Sequence, residues 1–568
     1  MCGILGGSKR EWNYEAGISA LNHRGPDMQR IIREDMFSLA FARLSIIDLS
    51  DAAMQPMTSR DGKVTIVYNG EIYGYDRLKK RLEKKYEFIS ASDTEVILYA
   101  YMEYGDRFVE YVDGIYAIAI YDRRNQTIRI FRDRIGVKPL YYYYDGSYFA
   151  FSSELKAIDS LLGEQTLELD YTALYDYLTY AYVPAPKTMY KNVRQLRPAH
   201  KVIYHIKDRQ LSAQKRYWEL PVNGEVDRRR KDKELTGELR ELIHQSVKEQ
   251  IIADVPVGTF LSGGVDSSVV TYECLMENPD VESFSIGFTD EQYDESKYYR
   301  EFVQKFGNHS NEQIFDKRIF KELYKEIGGW FDEPFADTSA FPTYLVSKLA
   351  KEKVTVVLTG DGGDELFGGY GWYGYDYRPG ILGDRERISR FYENLVIRNK
   401  CFYFPKVGQL LYETLQKFCT SHGYGLKSMK TDAASRWGIP KDYDDYWFVR
   451  EHDRKDLPIK TRLQYIDLQT YLPGILTKVD RASMQVSLEA RVPLLSRRVV
   501  EFAFSLSQEE RCPRGEMKHM LRKAYPEIPK SILYKQKQGF CMPAQYLGNL
   551  GRKSTPHEKL LREIWKIR

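Results

Sequence analysis

The segment FLSGGVDSSV, residues 260–269, indicates how the second half of the chain folds. An apolar run, VPVGTF, leads into it, and the helical pattern VVTYECLM follows it. Two glycines therefore lie between a buried strand and a helix. Glycines let backbone N–H groups approach an anion closely, and a helix N-terminus favours negative charge. The segment is predicted to bind phosphate, although it lacks the GxxxxGK[ST] spacing of a Walker loop.

An ordinary glycine turn is the weaker interpretation of this segment. Hydroxyls add hydrogen-bond donors for a phosphate, and an aspartate is a suitable ligand for Mg²⁺. Six residues of suitable type stand at the junction: Ser262, Gly263, Gly264, Asp266, Ser267 and Ser268.

Strands alternate with helices around this segment. ELTGELRELIHQSVKEQII (234–252) has the spacing of an amphipathic helix, whereas VESFSIGF (281–288) and KVTVVLTG (353–360) have the pattern of buried strands. This alternation predicts an α/β domain with a doubly wound parallel sheet. Residues from 371 to about 469 show helical and aromatic patterns without a strand signal, so they are predicted to be a helical elaboration of that domain.

The first 200 residues have a different, α+β pattern. Helical spacing occurs in residues 75–86 and 93–105, and short β-rich runs include TIVYNGEIY (65–73), GIYAIAIYD (114–122) and TIRIFRD (127–133). A polar, charged stretch then separates the two patterns. The predicted organisation is a first domain over 2–206, a linker over 207–234 and a second domain over 235–568.

Composition excludes several classes of protein. The net charge of +4, from 84 basic and 80 acidic residues, is too small to predict a nucleic-acid partner. Six cysteines without CxxC spacing and nine dispersed histidines predict neither a disulfide scaffold nor a zinc site, and suit a reducing compartment. No apolar run is long enough to span a membrane, and charges at residues 9–11 interrupt any signal-peptide core. We expect a cytoplasmic protein without a membrane partner.

The chain begins MCGILGG, which places Cys2 directly after the initiator methionine. If Met1 is removed, Cys2 carries both a thiol and an α-amine, whose ordinary pKa of ~7.7–8 suits it as a base near neutral pH. A single cysteine is weak evidence by itself, so this interpretation depends on the rest of the chain.

Three motifs, together with MCGI, resemble the family of glutamine-hydrolysing asparagine synthetases. SGGVDSS resembles the signature loop of ATP-pyrophosphatases, which split ATP into AMP and pyrophosphate. TGDGGDELFGGY (359–370) resembles the family's partner loop, and YLPGILTKVDRASMQVSLEARVPLL (471–495) its long synthetase signature. The resemblance extends from residue 2 to about residue 545. It implies an N-terminal-nucleophile (αββα) glutaminase domain of class II, followed by the α/β ATP-pyrophosphatase domain, and a homodimer.

The resemblance implies a glutaminase site in the first domain. Cys2 attacks the side-chain amide of glutamine, forms a thioester and releases ammonia, in a pocket shaped by NHRGPD (22–27). The remaining implied residues are Arg43 for the glutamine carboxylate, Asn69 and Gly70 for the oxyanion, and Glu71 and Asp93 for the α-amine. Taken singly, each of these charges also fits a solvated surface charge, and Asn69-Gly70 also fits a hairpin turn.

The resemblance also implies a site for ATP and Mg²⁺ in the second domain. A carboxylate acceptor attacks the α-phosphate to form an acyl-adenylate, and ammonia from an internal channel then displaces AMP. Mg²⁺ is implied on Asp266 and Asp364, Asp361 next to the reacting intermediate, and Lys518 on the leaving phosphate. The implied ATP-binding residues are Leu261, Ser262, Gly263, Gly264, Asp266, Ser267, Ser268, Ile286 and Gly360.

Two basic residues in these motifs have open interpretations. Lys518 also fits a solvated helix face. Arg491, in EARVP, fits a structural role and a role facing the acceptor carboxylate equally well. Lys478 and Asp480 belong to LTKVDR and receive no assigned role.

The acceptor expected first is L-aspartate, but the sequence departs from the family pattern. Ala40 and Phe41 replace the usual Gly-His before Arg43, and Ser496 replaces an aspartate. Alternative acceptors of the same architecture are a uronic-acid sugar, which the tyrosine-rich residues 368–377 would suit, a peptide carboxylate or a secondary metabolite. A β-lactam synthetase is disfavoured because such relatives lack a working Cys2. A non-catalytic relative is disfavoured because Cys2, Asp266 and Asp364 are all present.

Overall fold

A computed structural model describes residues 2–163, 167–222, 230–374, 431–440, 442–513, 516–540, 542–543, 546 and 556–567. Within these ranges, no helix is both long and apolar enough to cross a lipid bilayer.

The strands in the described residues are numbered in chain order. Their bounds are β1 Gly3–Gly7, β2 Met28–Arg33, β3 Ser38–Arg43, β4 Met57–Thr58, β5 Val64–Tyr73, β6 Asp113–Asp122, β7 Thr127–Arg132, β8 Tyr141–Tyr144, β9 Phe149–Ser152, β10 Val193–Gln195, β11 His200–His205, β12 Gln210–Leu211, β13 Lys215–Arg216, β14 Val257–Phe260, β15 Glu282–Phe288, β16 His309–Phe315, β17 Val356–Leu358 and β18 Glu489–Arg491.

The α-helices in the described residues are numbered in the same way. Their bounds are α1 Tyr14–Ser19, α2 Asp76–Leu82, α3 Asp93–Tyr104, α4 Leu155–Leu162, α5 Tyr171–Tyr180, α6 Asp232–Gln250, α7 Val265–Glu277, α8 Ser296–Phe306, α9 Lys317–Trp330, α10 Ala340–Lys351, α11 Gly363–Phe367, α12 Thr431–Arg436, α13 Trp447–Glu451, α14 Ile459–Thr470, α15 Leu472–Met484, α16 Arg497–Ser505, α17 Gln508–Arg511, α18 His519–Ala524, α19 Lys530–Leu533 and α20 Pro556–Glu563.

Two antiparallel sheets form the centre of the first domain. One has the strand order β10-β8-β9-β1-β3-β2, and the other has the order β12-β11-β7-β6-β5-β4, with β13 also paired to β11. Successive side chains of a strand point to opposite faces. Ile4 and Val67 accordingly pack between the sheets, whereas Leu5 packs with α1 and α4, and Ile66 packs with α2 and α3. The predicted αββα arrangement is confirmed.

Asn69 and Gly70 do not form a hairpin turn, which corrects that alternative. They lie inside β5, where they pair with Ala117 and Tyr116 of β6 in continuous register. A Cβ on Gly70 would stand 2.1 Å from the carbonyl oxygen of Ile115. Only glycine allows this close approach of the two backbones.

Two short strands lie within the predicted linker. Gln210–Leu211 and Lys215–Arg216 both pair with β11 of the first domain. The long helix α6 then begins at Asp232. The chain between residues 223 and 229 lies outside the described residues.

The second domain contains a five-stranded parallel sheet with the order β16-β15-β14-β17-β18. From β14 the chain proceeds outward to β15 and β16 in one direction, and β17 and β18 lie on its other side. The order therefore reverses between β14 and β17, and ligands of such sheets bind at the carboxyl ends of the strands at this point. The segments 261–264 and 359–362 follow these two strands directly.

Helices cover the parallel sheet as the sequence pattern predicts. α7, which follows the SGG turn, packs with α6 on one face in a layer that includes Leu239, Val269 and Val356. α10 lies in the other apolar layer, with Phe284 and Val357. The predicted helical elaboration contains α12, α13 and α14, whereas its residues 375–430 lie outside the described residues.

Candidate active sites

Residues from four elements of the first domain meet in one pocket, which we call the thiol pocket. Cys2 precedes β1, Arg43 ends β3, Gly70 and Glu71 belong to β5, and Asp93 begins α3. All five line this pocket, and so does Phe41, one of the three residues that depart from the family pattern. The sequence-predicted glutamine residues are therefore brought together by sheet pairing between distant parts of the chain.

Asn69 is oriented by the backbone of Cys2. The Cys2 amide nitrogen donates a hydrogen bond to Asn69 Oδ1 at 3.0 Å. Asn69 is fully buried, and its Nδ2 has no hydrogen-bond partner in the described part of the chain. A buried donor without a partner is costly, and an oxyanion bound beside Cys2 would satisfy it.

The Cys2 thiol is sheltered from solvent. Its Sγ lies 3.7 Å from the carbonyl oxygen of Leu44. Burial raises the pKa of this thiol, and Arg43 opposes that shift only weakly. A base is therefore required to form the thiolate, and the α-amine of an N-terminal Cys2 is the type of base that serves this purpose.

The three charged residues that the sequence predicts in this pocket are not solvated surface charges. Arg43, Glu71 and Asp93 are each at most 5% exposed. Arg43 donates to the carbonyl oxygens of Ser50, at 2.9 Å, and Asp48, which holds its guanidinium at the edge of the pocket.

Two carboxyl groups of the pocket, those of Asp93 and Glu71, have pKa values raised above their ordinary range. Asp93 Oδ2 accepts hydrogen bonds from the Tyr68 hydroxyl at 2.8 Å and from the Ile72 amide at 3.1 Å. Burial raises the pKa of Asp93 to about 6, against the effect of these bonds. Burial and the neighbouring Asp93 raise the pKa of Glu71 well above its ordinary value. A bound ammonium group would stabilise both carboxylates.

The NHRGPD motif joins the thiol pocket to the second domain. Arg24 is fully buried, and its Nε donates to the carbonyl oxygen of Cys2 at 3.3 Å. Its two terminal nitrogens form a bidentate pair with Asp480 of α15, at 2.8 and 3.0 Å. Arg24 Nη1 also donates to Glu154 at 2.7 Å. The sequence predicted no role for Asp480. In the structure it is the ion-pair partner of Arg24 in the NHRGPD motif.

Two loops meet at the carboxyl ends of β14 and β17, as the sheet topology predicts. A Cβ on Gly360 would stand 2.6 Å from the amide nitrogen of Ser267, so the loops touch without room for a side chain. Gly263 has a φ of +73°, and a Cβ there would stand 2.8 Å from the amide nitrogen of Tyr299. Ser262 and Ser267 are hydrogen-bonded through their hydroxyls at 3.0 Å.

Two carboxylates and two lysines lie together beside these loops. Asp364 is 2.6 Å from the ammonium nitrogens of both Lys518 and Lys537, and Lys518 also bonds Asp266. Lys518 is 4% exposed and caps α18, so the alternative of a solvated helix face is wrong. Burial raises the pKa of Asp266, whereas Lys518 and Lys537 overcome burial and hold the pKa of Asp364 below its usual range.

The residues present fit a magnesium ion. Asp266 Oδ1 is buried and has no hydrogen-bond partner in the described ranges. Mg²⁺ is commonly held by one or two carboxylates together with substrate phosphates. The described residues contain no cluster of three or more metal-binding side chains, so Asp266 and Asp364 would hold the ion with the phosphates of ATP.

Sequence reasoning missed other charged residues of this cleft. Arg522, Lys535, Lys537 and Glu295 line it with Ser262, Gly264 and Lys518. The lysines belong to YKQKQGF (534–540), whose spacing shows no known phosphate pattern. The sequence offered one indication of their role, which is that several basic residues follow shortly after Lys518.

The remaining predicted residues lie around the same strand ends. Leu261 and Ile286 are buried beside the SGG turn. Asp361 is partly exposed and accepts a hydrogen bond from the Thr359 hydroxyl at 2.7 Å. Lys478 lies 3.6 Å from Asp337. Ser268 is buried behind the loop.

Arg491 does not line the cleft beside the SGG turn. The alternative in which Arg491 faces the acceptor carboxylate therefore receives no support from this cleft. Its Nη1 donates to the carbonyl oxygens of Gln250 and Ile252, both at 2.7 Å. Its Nη2 lies 3.2 Å from Glu71 of the thiol pocket.

Comparisons with known proteins match both parts of the chain. An asparagine synthase family model matches residues 238–557, and a glutamine amidotransferase domain model matches residues 1–218.

Individual relatives match across most of the chain. It is 31% identical to asparagine synthetase [glutamine-hydrolyzing] 1 of Bacillus subtilis, over 96% of this chain and 88% of the relative. It is 35% identical to a putative asparagine synthetase [glutamine-hydrolyzing] 2 of Methanocaldococcus jannaschii, over 82% and 93%. It is also 25% identical to amidase chry2 of Gibberella zeae, over 94% and 85%.

Proposed function

Because this chain belongs to the asparagine synthase family, we propose that it makes L-asparagine from L-aspartate, L-glutamine and ATP, with L-glutamate, AMP and pyrophosphate as the other products. We assign glutamine hydrolysis to residues 2–206 and the ATP-dependent step to residues 235–568. The observation that carries the proposal is the coexistence of two buried sites in one chain. One holds a thiol beside an unpaired amide donor, and the other holds paired carboxylates and lysines at the switch point of a parallel sheet.

In the first half-reaction, the Cys2 thiolate attacks the side-chain carbonyl carbon of glutamine. Asn69 Nδ2 and the backbone N–H of Gly70 are the proposed donors to the oxyanion, and one such donor contributes about 2.7–4 kcal/mol to the transition state. The α-amine of Cys2 passes the proton it took from the thiol to the leaving nitrogen, the C–N bond breaks, ammonia leaves, and a thioester remains on Cys2. Water then hydrolyses this thioester to glutamate. Arg43 would bind the glutamine carboxylate, and Glu71 and Asp93 its ammonium group.

In the second half-reaction, a carboxylate oxygen of the acceptor attacks the α-phosphorus of ATP, and pyrophosphate leaves. Ammonia then attacks the acyl carbon, and AMP leaves. The backbone of the SGG turn and its serines suit the phosphates. Lys518, which bonds Asp266, would stabilise negative charge on the leaving group, and Asp361 would contact the acyl intermediate. Asp266 and Asp364 would hold Mg²⁺, which would supply positive charge beside the phosphates of ATP.

Ammonia must pass from Cys2 to the second domain without becoming ammonium. We propose that it travels through the interface around Arg24, because this side chain contacts both the Cys2 backbone and Asp480 of α15. A buried path would keep ammonia in its neutral, nucleophilic form.

A second candidate function is the amidation of another carboxylate by the same chemistry. Ser496 stands where the family pattern has aspartate, and a relative of similar extent is named an amidase. The tyrosine-rich residues 368–377 lie only partly within the described ranges. There Tyr370 bonds Glu365 and Tyr373 bonds Asp467, so both hydroxyls have intramolecular partners.

Pyrophosphate release tests the proposal. The protein is supplied with ATP, Mg²⁺ and glutamine, first with L-aspartate and then with other carboxylates including nucleotide-sugar uronates. We expect release that depends on aspartate and accompanies asparagine formation. Cys2→Ala should abolish the reaction with glutamine and leave the reaction with ammonium chloride intact. Glutaminase activity without aspartate-dependent release would contradict the proposed acceptor, and release with a uronate would identify the second candidate.

A further inference from the structure

The edge strand β18 of the second domain reaches the thiol pocket of the first. Glu489 begins this strand and lines the pocket together with Cys2 and Glu71. Arg491 ends the strand, two residues later. Side chains at this spacing point to the same face of a strand, so both face the first domain. The pocket is therefore completed by Glu489, which lies 418 positions from Glu71 in the sequence.

Arg491 is held in a single orientation. It is fully buried, and its Nε donates to Glu489 Oε1 at 2.6 Å. Its Nη1 is bound by two backbone carbonyl oxygens at the end of α6. The strand itself is anchored, because the Thr359 amide donates to the carbonyl oxygen of Arg491 at 2.9 Å. Only Nη2 extends toward Glu71, at 3.2 Å.

Glu71 faces this guanidinium in a buried environment. It is 4% exposed, and its near neighbours include the carboxyl groups of Asp93 and Glu489. Burial and these like charges disfavour the ionised form of Glu71, and Arg491 is the cation that opposes them most. In the described residues, Arg491 is the side chain that forms an ion pair with Glu71.

We propose that Arg491 is a positioning residue of the glutaminase reaction, which holds the Glu71 carboxyl group directed at the α-ammonium group of glutamine. The second domain then sets the affinity of the first domain for its substrate. This inference rests on the proposed function, because it takes glutamine as the ligand of the thiol pocket.

The test measures glutamine hydrolysis by the full-length chain without ATP or acceptor. Arg491→Lys keeps the positive charge but removes the planar guanidinium group. That group contacts Glu489, two backbone carbonyl oxygens and Glu71 at the same time. We expect KM for glutamine to rise at least roughly tenfold and kcat to change less than about threefold, because the contact is one of ground-state binding.

A double-mutant cycle tests whether Arg491 acts through Glu71. Glu71→Gln alone should raise KM, and adding Arg491→Lys to it should raise KM no further. Arg511→Lys is the matched control, since Arg511 is also fully buried in the second domain but bonds Thr461, away from the thiol pocket. If Arg491→Lys does not fold, as judged by its thermal unfolding midpoint, Glu489→Asp keeps the charge, withdraws the carboxylate that holds Arg491 Nε and should raise KM in the same way.

Three outcomes would overturn the inference. The first is an unchanged KM in a folded Arg491→Lys variant, the second is additive effects of the two substitutions, and the third is a parallel loss in the Arg511→Lys control. Wild-type protein without any glutaminase activity would refute the proposed function and the inference together. Active wild type with an unchanged variant would refute the inference alone.

Discussion

At the scale of single residues, Asp93 should control how glutamine binding responds to pH. Burial raises the pKa of this carboxyl group to about 6. Above that pH it is ionised and can pair with the α-ammonium group of glutamine, and below it the charge is lost. We therefore expect KM for glutamine to rise as pH falls from 7.5, by about tenfold at one pH unit below the pKa, where only about a tenth of the carboxyl groups are ionised.

The measurement is a series of glutaminase saturation curves between pH 5 and 8, with Asp93→Asn as the comparison. The variant lacks the titrating group, so its KM should be high at every pH and should not follow the same curve. A wild-type KM that stays constant across this range would contradict the role assigned to Asp93.

At the scale of elements, the turn after α11 should be required for the ATP site and not for the thiol pocket. A Cβ on Gly369 would stand 1.8 Å from Asp364 Oδ1 and 2.4 Å from Lys518 Cε. Gly369→Ala must therefore displace the carboxylate from the lysine. We expect pyrophosphate release to fall at least roughly tenfold, because a displaced charged group loses transition-state stabilisation of more than about 1.4 kcal/mol.

Gly371→Ala is the matched control for this substitution. It lies two residues away, and a Cβ there would meet nothing within 4 Å. It should keep full pyrophosphate release, and both variants should hydrolyse glutamine at the wild-type rate. Full synthetase activity in Gly369→Ala would show that the Asp364–Lys518 pair is dispensable.

At the scale of the whole molecule, the buried pair of Arg24 and Asp480 should couple the two activities. Asp480→Asn leaves Arg24 with Glu154 but removes its bidentate partner in the second domain. Breaking a buried ion pair typically costs about 3–5 kcal/mol, so the thermal unfolding midpoint should fall. We also expect more glutamate to form per pyrophosphate released than in the wild type, because ammonia escapes from a loosened interface.

The control for Asp480→Asn is a second ion pair across the same two parts of the chain. Arg197 and Glu451 are bonded at the surface, with side chains 25% and 36% exposed. Exposed pairs contribute about 0–1 kcal/mol, so Glu451→Gln should leave both the unfolding midpoint and the product ratio near wild type. An unchanged product ratio in Asp480→Asn would argue against a path for ammonia near Arg24.

Local patterns were sufficient to predict most of what lies along the chain. The residue pattern predicted β5, β6, β14 and β15 close to their observed bounds. Each face of such a strand meets one kind of environment, so the residue types along it follow a regular pattern. The SGGVDSS and TGDGGDE loops were predicted at strand ends for the same reason. Cys2 and the charged residues of the thiol pocket were found through motifs that keep residue type and order.

The roles of Lys537, Asp480 and Arg491 depend on tertiary structure. Lys537 bonds Asp364, Asp480 bonds Arg24, and Arg491 bonds Glu71, across 173, 456 and 420 positions respectively. The sequence does not show whether a charged residue lies on the solvated surface or in a buried ion pair. The answer depends on which partner residue folding brings next to it. The sequence by itself thus determined the fold class of both halves and the family to which the chain belongs. Only the tertiary structure decided that an arginine of the second domain would bind a carboxylate of the first, since strand pairing and domain packing set that distance.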